Sequence, residues 1–158
     1  MHVTLRAVTD VNRAELEALS VTDEQSNYVA GVASSLVEGA ETPDAMPWYR
    51  GVYAGDTPVG FVMISDGITV DNPDYVGPYY LWRLLVDQRF QGRGFGAAAL
   101  ALVVEVVRTR PDARVLLTSV VPGPRSPINF YLGQGFVDTG RDHDGERVLS
   151  FDLFAAQS

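Results

Sequence analysis

The sequence predicts an α/β chain, a mixed sheet with helices on its faces. Three observations lead there. Strand-like and helix-like segments follow one another in the order β-α-α-β-β-β-α-β-α-β-β. The 158 residues suit one domain, 1–158, rather than two. The composition, 46% hydrophobic and 20% charged, is that of an ordinary globular protein. A chain of this length buries about 70% of its unfolded surface, enough for a substantial core.

Each element has its own signal. Residues 3–8 (VTLRAV) alternate enough for a first strand. Thr9 and Asp10 are expected to cap a helix carrying Val11, Leu16 and Leu19. A second helical stretch is expected over 23–38, with Tyr28, Val29, Val32, Leu36 and Val37 as its apolar stripe. Pro43 and Pro47 end that region. Residues 48–54 and 59–65 read as a hairpin about Gly55 and Asp56. A loop rich in turn residues precedes a strongly apolar strand, 79–86 (YYLWRLLV). The segment 88–96 (QRFQGRGFG) then runs into a helix over 97–108, stopped by Pro111. Residues 115–121 form a buried strand. Ser126 and Pro127 suit the start of a short helix that Gly133 or Gly135 can end. The last two strands, 136–140 and 147–153, join at Asp144-Gly145.

Charge and composition exclude several function classes. Twelve basic residues, all arginine, face twenty acidic ones, a net charge of −8. Non-specific nucleic-acid binding needs a basic footprint, and an anionic membrane surface needs basic clusters, so neither partner is expected. The charge suits a cationic partner, and it also serves plain solubility. There is no cysteine, hence no disulfide, thiol nucleophile or thiolate metal site. His2 and His143 are isolated, so no metal is expected. The opening MHVTLRAVTD lacks a charged-then-apolar leader pattern, and the longest apolar run is about half a bilayer span. A soluble, cytoplasmic protein is expected.

Strand, glycine-rich loop and helix make an arrangement suited to phosphate. Glycine lets backbone N–H groups approach an anion, and a helix start adds partial positive charge. Arg93 inside the loop can add a charge-assisted contact. The loop is not a P-loop, because Phe95-Gly96-Ala97 follows Gly94 where Lys-Ser/Thr is required. Nor is it a dinucleotide fingerprint, since Gly92, Gly94 and Gly96 stand two apart. A plain tight turn into a helix is the structural alternative.

Gln91-Gly92-Arg93-Gly94-Phe95-Gly96 resembles the Q/R-x-x-G-x-G/A signature of the GNAT superfamily of N-acetyltransferases. Downstream, Asn129 to Phe136 (NFYLGQGF) is similar to that family's N-x-x-Y-x-x-x-G-F element. A helix and a strand lie between the two, as in the family. Residues RAVTDVNRAEL, the 28–38 stretch and LWRLLVDQRFQGRG further resemble bacterial spermine/spermidine acetyltransferases, with Arg83 a departure where that subgroup carries an acidic residue.

The resemblance implies a mixed, mostly antiparallel sheet of six to seven strands with about four helices. It implies acetyl-CoA as co-substrate, bound by Gln91, Gly92, Arg93, Gly94, Phe95 and Gly96 at the pyrophosphate, by backbone groups of Leu85 and Val86, and by Asn129. It implies Tyr131 as the general acid: a phenol of pKa about 10 can protonate a departing thiolate. Alkyl amines have pKa near 10.4, so a base assists the attack. The residues do not identify this base; Glu24, Glu38 and Asp87 are candidates. Many family members are homodimers, and no segment here specifies an interface.

Residues 1–50 hold eight acids (Asp10, Glu15, Glu17, Asp23, Glu24, Glu38, Glu41 and Asp44) against three arginines. The family's first two helices wall the acceptor groove. An acidic wall beside Tyr28, Trp48 and Tyr49 is therefore expected to draw in a small polycationic amine, such as spermidine or spermine. An aminoglycoside-like antibiotic, a protein N-terminus, or a coenzyme A-binding sensor without turnover are the alternatives.

Overall fold

In the computed structural model, which describes residues 2–155, seven strands join into one sheet. They are β1 (Val3–Arg6), β2 (Pro47–Ala54), β3 (Thr57–Asp66), β4 (Tyr79–Val86), β5 (Val115–Val120), β6 (Val137–His143) and β7 (Glu146–Asp152). The helices are α1 (Arg13–Glu17), α2 (Val32–Glu41), α3 (Phe95–Arg108) and α4 (Ile128–Gly133). The sheet order is β1-β2-β3-β4-β5-β7-β6. Every neighbouring pair is antiparallel except β4 and β5. This is the mixed, mostly antiparallel sheet with four helices that the sequence predicts.

The strand period of two sorts side chains to two faces. Val62 and Ile64 of β3 join Leu100, Val103 and Val107 of α3 in the larger core. Phe61 and Met63 turn the other way, onto Leu16 of α1 and Leu36 of α2. Burying each such side chain is worth about 1.5–3 kcal/mol. Among the described residues, no helix is long and apolar enough to cross a membrane.

A bulge in β4 makes the feature on which the site depends. Met63 pairs with Arg83 and Ile64 with Leu81, so Trp82 has no partner on β3. Such an extra residue bends its strand and inverts the facing of the residues beyond it. Accordingly Tyr79 and Leu81 enter the core beneath α3, and Leu84 and Val86 pack against that same core. Leu85 enters the opposite core. Pairing of β4 with β5 is confined to Tyr80–Leu117 and Leu81–Thr118. Past Leu81 the parallel strands part, and a cleft opens between them.

Four sequence expectations are corrected. The helix expected over 23–38 is a short 3-10 turn (Gln25–Asn27) followed by α2. Gly31 is extended (ψ 172°) and ends the first piece, so Tyr28 and Val29 lie outside α2. Val37 is 52% exposed, because only Val32, Ser35, Leu36 and Gly39 face inward. The first helix starts at Arg13, after a turn in which Asn12 Oδ1 accepts the Thr9 N–H at 2.8 Å. Val11 is consequently 94% exposed. Phe95 and Gly96 belong to the first turn of α3 rather than to the loop, and Phe95 is buried. Ser126 caps nothing; Pro127 holds the N-cap position of α4.

Candidate functional site

A cavity of about 550 Å³ occupies the cleft. Tyr80, Trp82 and Leu84 line it from β4, Thr118 and Ser119 from β5, and Tyr131 from α4. The Thr118 hydroxyl donates to the Leu81 carbonyl at 3.0 Å, the last tie before the strands separate. Residues 82–86 pair with β3 along one edge only, which leaves backbone groups on the other edge open to the cleft.

The glycine loop lies at one end of this cleft. Gly92 (φ 77°) and Gly94 (φ 83°) adopt the left-handed conformation that glycine permits, and nothing crowds their Cα atoms. Gly94 is the N-cap of α3, and the first helical bond there is Ala98 N–H to Gly94 C=O. The N–H groups of residues 95–97 precede the first intrahelical donor, Ala98, and so have no partner within the helix. No acid stands in that turn. Arg89 and Arg93 gather about the Phe90 ring, their guanidinium carbons 5.1 and 5.8 Å from its centroid. Open N–H groups, a helix start and two exposed cations fit a pyrophosphate. Gly96 sits against Phe130 and Val86, joining the loop to α4 and β4.

The loop is anchored on its other side. Gln91 Nε2 donates to the Val86 carbonyl at 2.9 Å. Gln91 and Gln25 exchange two amide hydrogen bonds, both 2.9 Å. Leu85 is buried as a side chain, so only its backbone can face a ligand. Asn129 is exposed on α4 and lies outside the cavity lining.

Tyr131 is buried between Phe130 and Phe136, with ring centroids 5.2 and 5.4 Å away in edge-on contact. Burial pushes its hydroxyl well above the usual phenol range, the nearby Tyr80 adds to this, and Thr118 partly opposes it. It is a fully protonated donor at neutral pH. Tyr80 is likewise raised, first by burial. Its hydroxyl lies 2.6 Å from that of Ser119, which donates to Glu146 Oε1 at 3.2 Å.

The acidic wall is elsewhere than expected. Of the eight acids in residues 1–50, only Glu38 lines the cavity, and it is ion-paired with Arg83. Asp74, Asp144 and Glu146 supply the other carboxylates, from the 67–78 loop, the β6–β7 turn and the start of β7. His143 Nε2 donates to the Pro73 carbonyl at 2.9 Å and holds those two segments together. Four carboxylates thus face one guanidinium.

The remaining candidates divide. Tyr28 lines the cavity and reaches across to the β5–α4 loop, where its hydroxyl accepts the Arg125 N–H at 3.4 Å. Glu24 is exposed, outside the lining, and pairs with Arg125 at 3.1 Å. Trp48 is half-buried against the larger core, beneath the Arg50 guanidinium at 4.2 Å, and does not reach the cavity. Tyr49 packs on Phe61. Asp87 is 1% exposed and outside the cavity. It accepts the N–H groups of Ser20 and Arg89, both at 2.9 Å, and Arg89 Nε at 2.8 Å. Burial raises its pKa, but these bonds outweigh it and hold the carboxyl below its usual value. Asp87 thus caps the turn that follows β4. Sequence reasoning missed Tyr80, Ser119, Asp74 and Glu146. The available signal for Tyr80 and Ser119 was a pair of adjacent hydroxyl residues inside each of two apolar strands, YYLW and LLTSV; Asp74 and Glu146 had none.

Comparison with known proteins bears on this geometry. Residues 9–136 match the sequence model of the Acetyltransferase (GNAT) family. The chain is 29% identical to the spermine/spermidine N(1)-acetyltransferase of Bacillus subtilis (strain 168), over 97% of this chain and 100% of that protein. Among solved structures, an aminoglycoside acetyltransferase in complex with coenzyme A superposes with TM-score 0.75 at 16% identity, covering 96% of this chain and 95% of that one. The PaiA N-acetyltransferase of Thermoplasma acidophilum, in complex with coenzyme A, gives TM-score 0.64 at 13% identity, covering 96% and 99%.

Proposed function

The chain belongs to the acetyltransferase (GNAT) family, and from that premise we propose that it acetylates a primary amine of a small polycation such as spermidine or spermine. The observation that carries the acceptor class is the cavity charge: Glu38, Asp74, Asp144 and Glu146 against Arg83 alone. A multiply protonated amine enters such a field favourably, and Tyr75, Tyr80 and Trp82 offer apolar surface for its methylene chain. The relatedness to a spermine/spermidine enzyme over 97% of the chain supports the same acceptor.

In this reading, residues 1–158 act as one catalytic domain in the cytoplasm. The Gln91–Gly96 loop holds the pyrophosphate of acetyl-CoA through the open N–H groups at the start of α3, with Arg93 beside them. The open edge of β4 past Leu81 meets the pantetheine arm near Leu85 and Val86, and Asn129 contacts the same ligand from α4. Bound there, acetyl-CoA supplies an activated acyl carbon and a thiolate leaving group. Tyr131 donates the proton that the departing sulfur requires; its raised pKa keeps that proton in place until then. Orientation of amine and acyl carbon by a preformed cleft supplies further rate.

The acceptor assignment is tested by charge removal. Asp74→Asn and Asp144→Asn are each expected to raise the KM for spermidine about threefold while leaving kcat within about twofold. Unchanged KM in both variants would overturn it.

A further inference from the structure

The base that assists amine attack has no candidate among Glu24, Glu38 and Asp87, each held by an arginine. A hydrogen-bonded chain on the acceptor side of the cleft has the required form. We propose that Tyr80, Ser119 and Glu146 are a proton relay that takes the acceptor amine's proton, with Glu146 as its terminal acceptor. The inference rests on the acetyl-transfer reading of this cleft.

Direction comes from the donor inventory. A carboxylate only accepts, so the single Ser119 proton goes to Glu146. The Ser119 oxygen must then be the acceptor in its 2.6 Å contact, and Tyr80 the donor. The Tyr80 oxygen retains free lone pairs, and Tyr80 lines the cavity. Every group is thus set to pass one proton toward Glu146, and the lone pairs at the open end can accept from an ammonium N–H.

Placement supports the same role. Tyr79 and Leu81 point into the core beneath α3, so Tyr80 points to the opposite face. Leu116 and Val120 also enter that core; Thr118 shares their side, and Ser119 faces away. Tyr131 belongs to the α3 side. The relay and the proposed acid therefore approach the cleft from opposite faces of the sheet. Two proton-handling groups with separate access can serve the two ends of one displacement.

The protons balance. The ammonium gives one proton to Tyr80 as Tyr80 passes its own to Ser119 and Ser119 passes its own to Glu146. The neutral amine then bonds the acyl carbon while the C–S bond breaks. Tyr131 protonates the sulfur and recovers a proton from the new amide nitrogen. Glu146 releases its proton to solvent, which it reaches because it is only partly buried. Titratable groups facing the relay are Glu38 and Arg83 beside Tyr80, Tyr131 across the cleft, and Asp74, His143 and Asp144 beside Glu146.

The test uses the full chain with spermidine. Wild type is assayed first for thiol release, because absence of turnover on any amine would overturn the transfer reading and this inference with it. Given turnover, Glu146→Gln is expected to lower kcat/KM about 100-fold at pH 7. The deficit should shrink as pH approaches the amine's own pKa of about 10.4. Ser119→Ala keeps the Glu146 charge but cuts the chain; a loss of similar size and pH dependence is expected. The dissociation constant for acetyl-CoA, measured calorimetrically, should stay within about twofold in both variants, which shows an intact fold and co-substrate site. A Glu146→Gln rate within about threefold of wild type overturns the proposal. So does a deficit independent of pH, or a Ser119→Ala rate equal to wild type, which would leave Glu146 only attracting the cation.

Discussion

The hydroxyl of Thr118 on β5 donates to the carbonyl of Leu81 on β4 at 3.0 Å, at the point where the two strands part. Thr118 is 2% exposed, so this bond forms away from water. Thr118→Val preserves shape and removes the donor. It is expected to lower stability by about 1 kcal/mol, or about 2–4 °C in a thermal melt. An unchanged melting temperature would show that the tie contributes nothing.

Gly94 in the loop and Gly96 in the first turn of α3 are not equivalent. Gly94 has φ 83°, where an L-residue is strained even with open space around it. Gly96 is helical, and an added methyl group would meet Phe130 and Val86 at ordinary contact distance. Gly94→Ala should cost about 1–2 kcal/mol and weaken acetyl-CoA binding severalfold, because the N–H groups of the next residues are displaced. Gly96→Ala should leave stability unchanged or raised by up to about 1 kcal/mol. Parallel melts and calorimetric titrations distinguish the two.

Asp87 ties the end of β4 to Ser20, 67 residues away, through a backbone N–H at 2.9 Å. Its pKa in the folded chain is lowered. Its ionised form therefore stabilises the fold at pH values above the unfolded carboxyl pKa of about 3.9, and this contribution fades as pH falls through the folded value. Asp87→Asn should lower the melting temperature at pH 7. The gap from wild type should narrow below about pH 4. A gap that widens on acidification would contradict the assignment.

Tyr131→Phe removes the proposed acid while keeping the ring contacts with Phe130 and Phe136. The expected result is a fall in kcat of about 100-fold, with acetyl-CoA affinity within about twofold. Because the hydroxyl's pKa is raised, wild-type kcat should show no alkaline decline from this group up to about pH 9. Transfer surviving the change within about threefold would remove Tyr131 from that role.

Much of the fold was legible because its signals are local. Asp144-Gly145 between two alternating segments specifies a hairpin, and both residues take positive φ. The glycine loop and the Tyr131 element were legible for the same reason. The bulge at Trp82 was not: YYLWRLLV is apolar in both strand phases, so no pattern marks where the facing inverts. The acidic lining of the cavity was misplaced because charge counted along a chain ignores where strands bring loops together. Asp74 and Glu146 are far apart in sequence and meet across one cavity, while Glu15 and Glu17 turn to Tyr53 and Arg13. Tyr80 and Ser119 escaped notice because each stands beside another hydroxyl residue, Tyr79 and Thr118, and no spacing rule says which of the two faces a cleft.

Acetylation of a polycationic amine in this cleft is measured directly by thiol release from acetyl-CoA across a panel of acceptors at pH 7. The panel holds spermidine, spermine, an aminoglycoside and a peptide with a free N-terminus. Turnover is expected with spermidine or spermine at a kcat/KM at least about tenfold above the peptide and the aminoglycoside, about 1.4 kcal/mol of discrimination. Turnover on the peptide or the aminoglycoside with none on either polyamine, or acetyl-CoA binding without turnover on any acceptor, would contradict it.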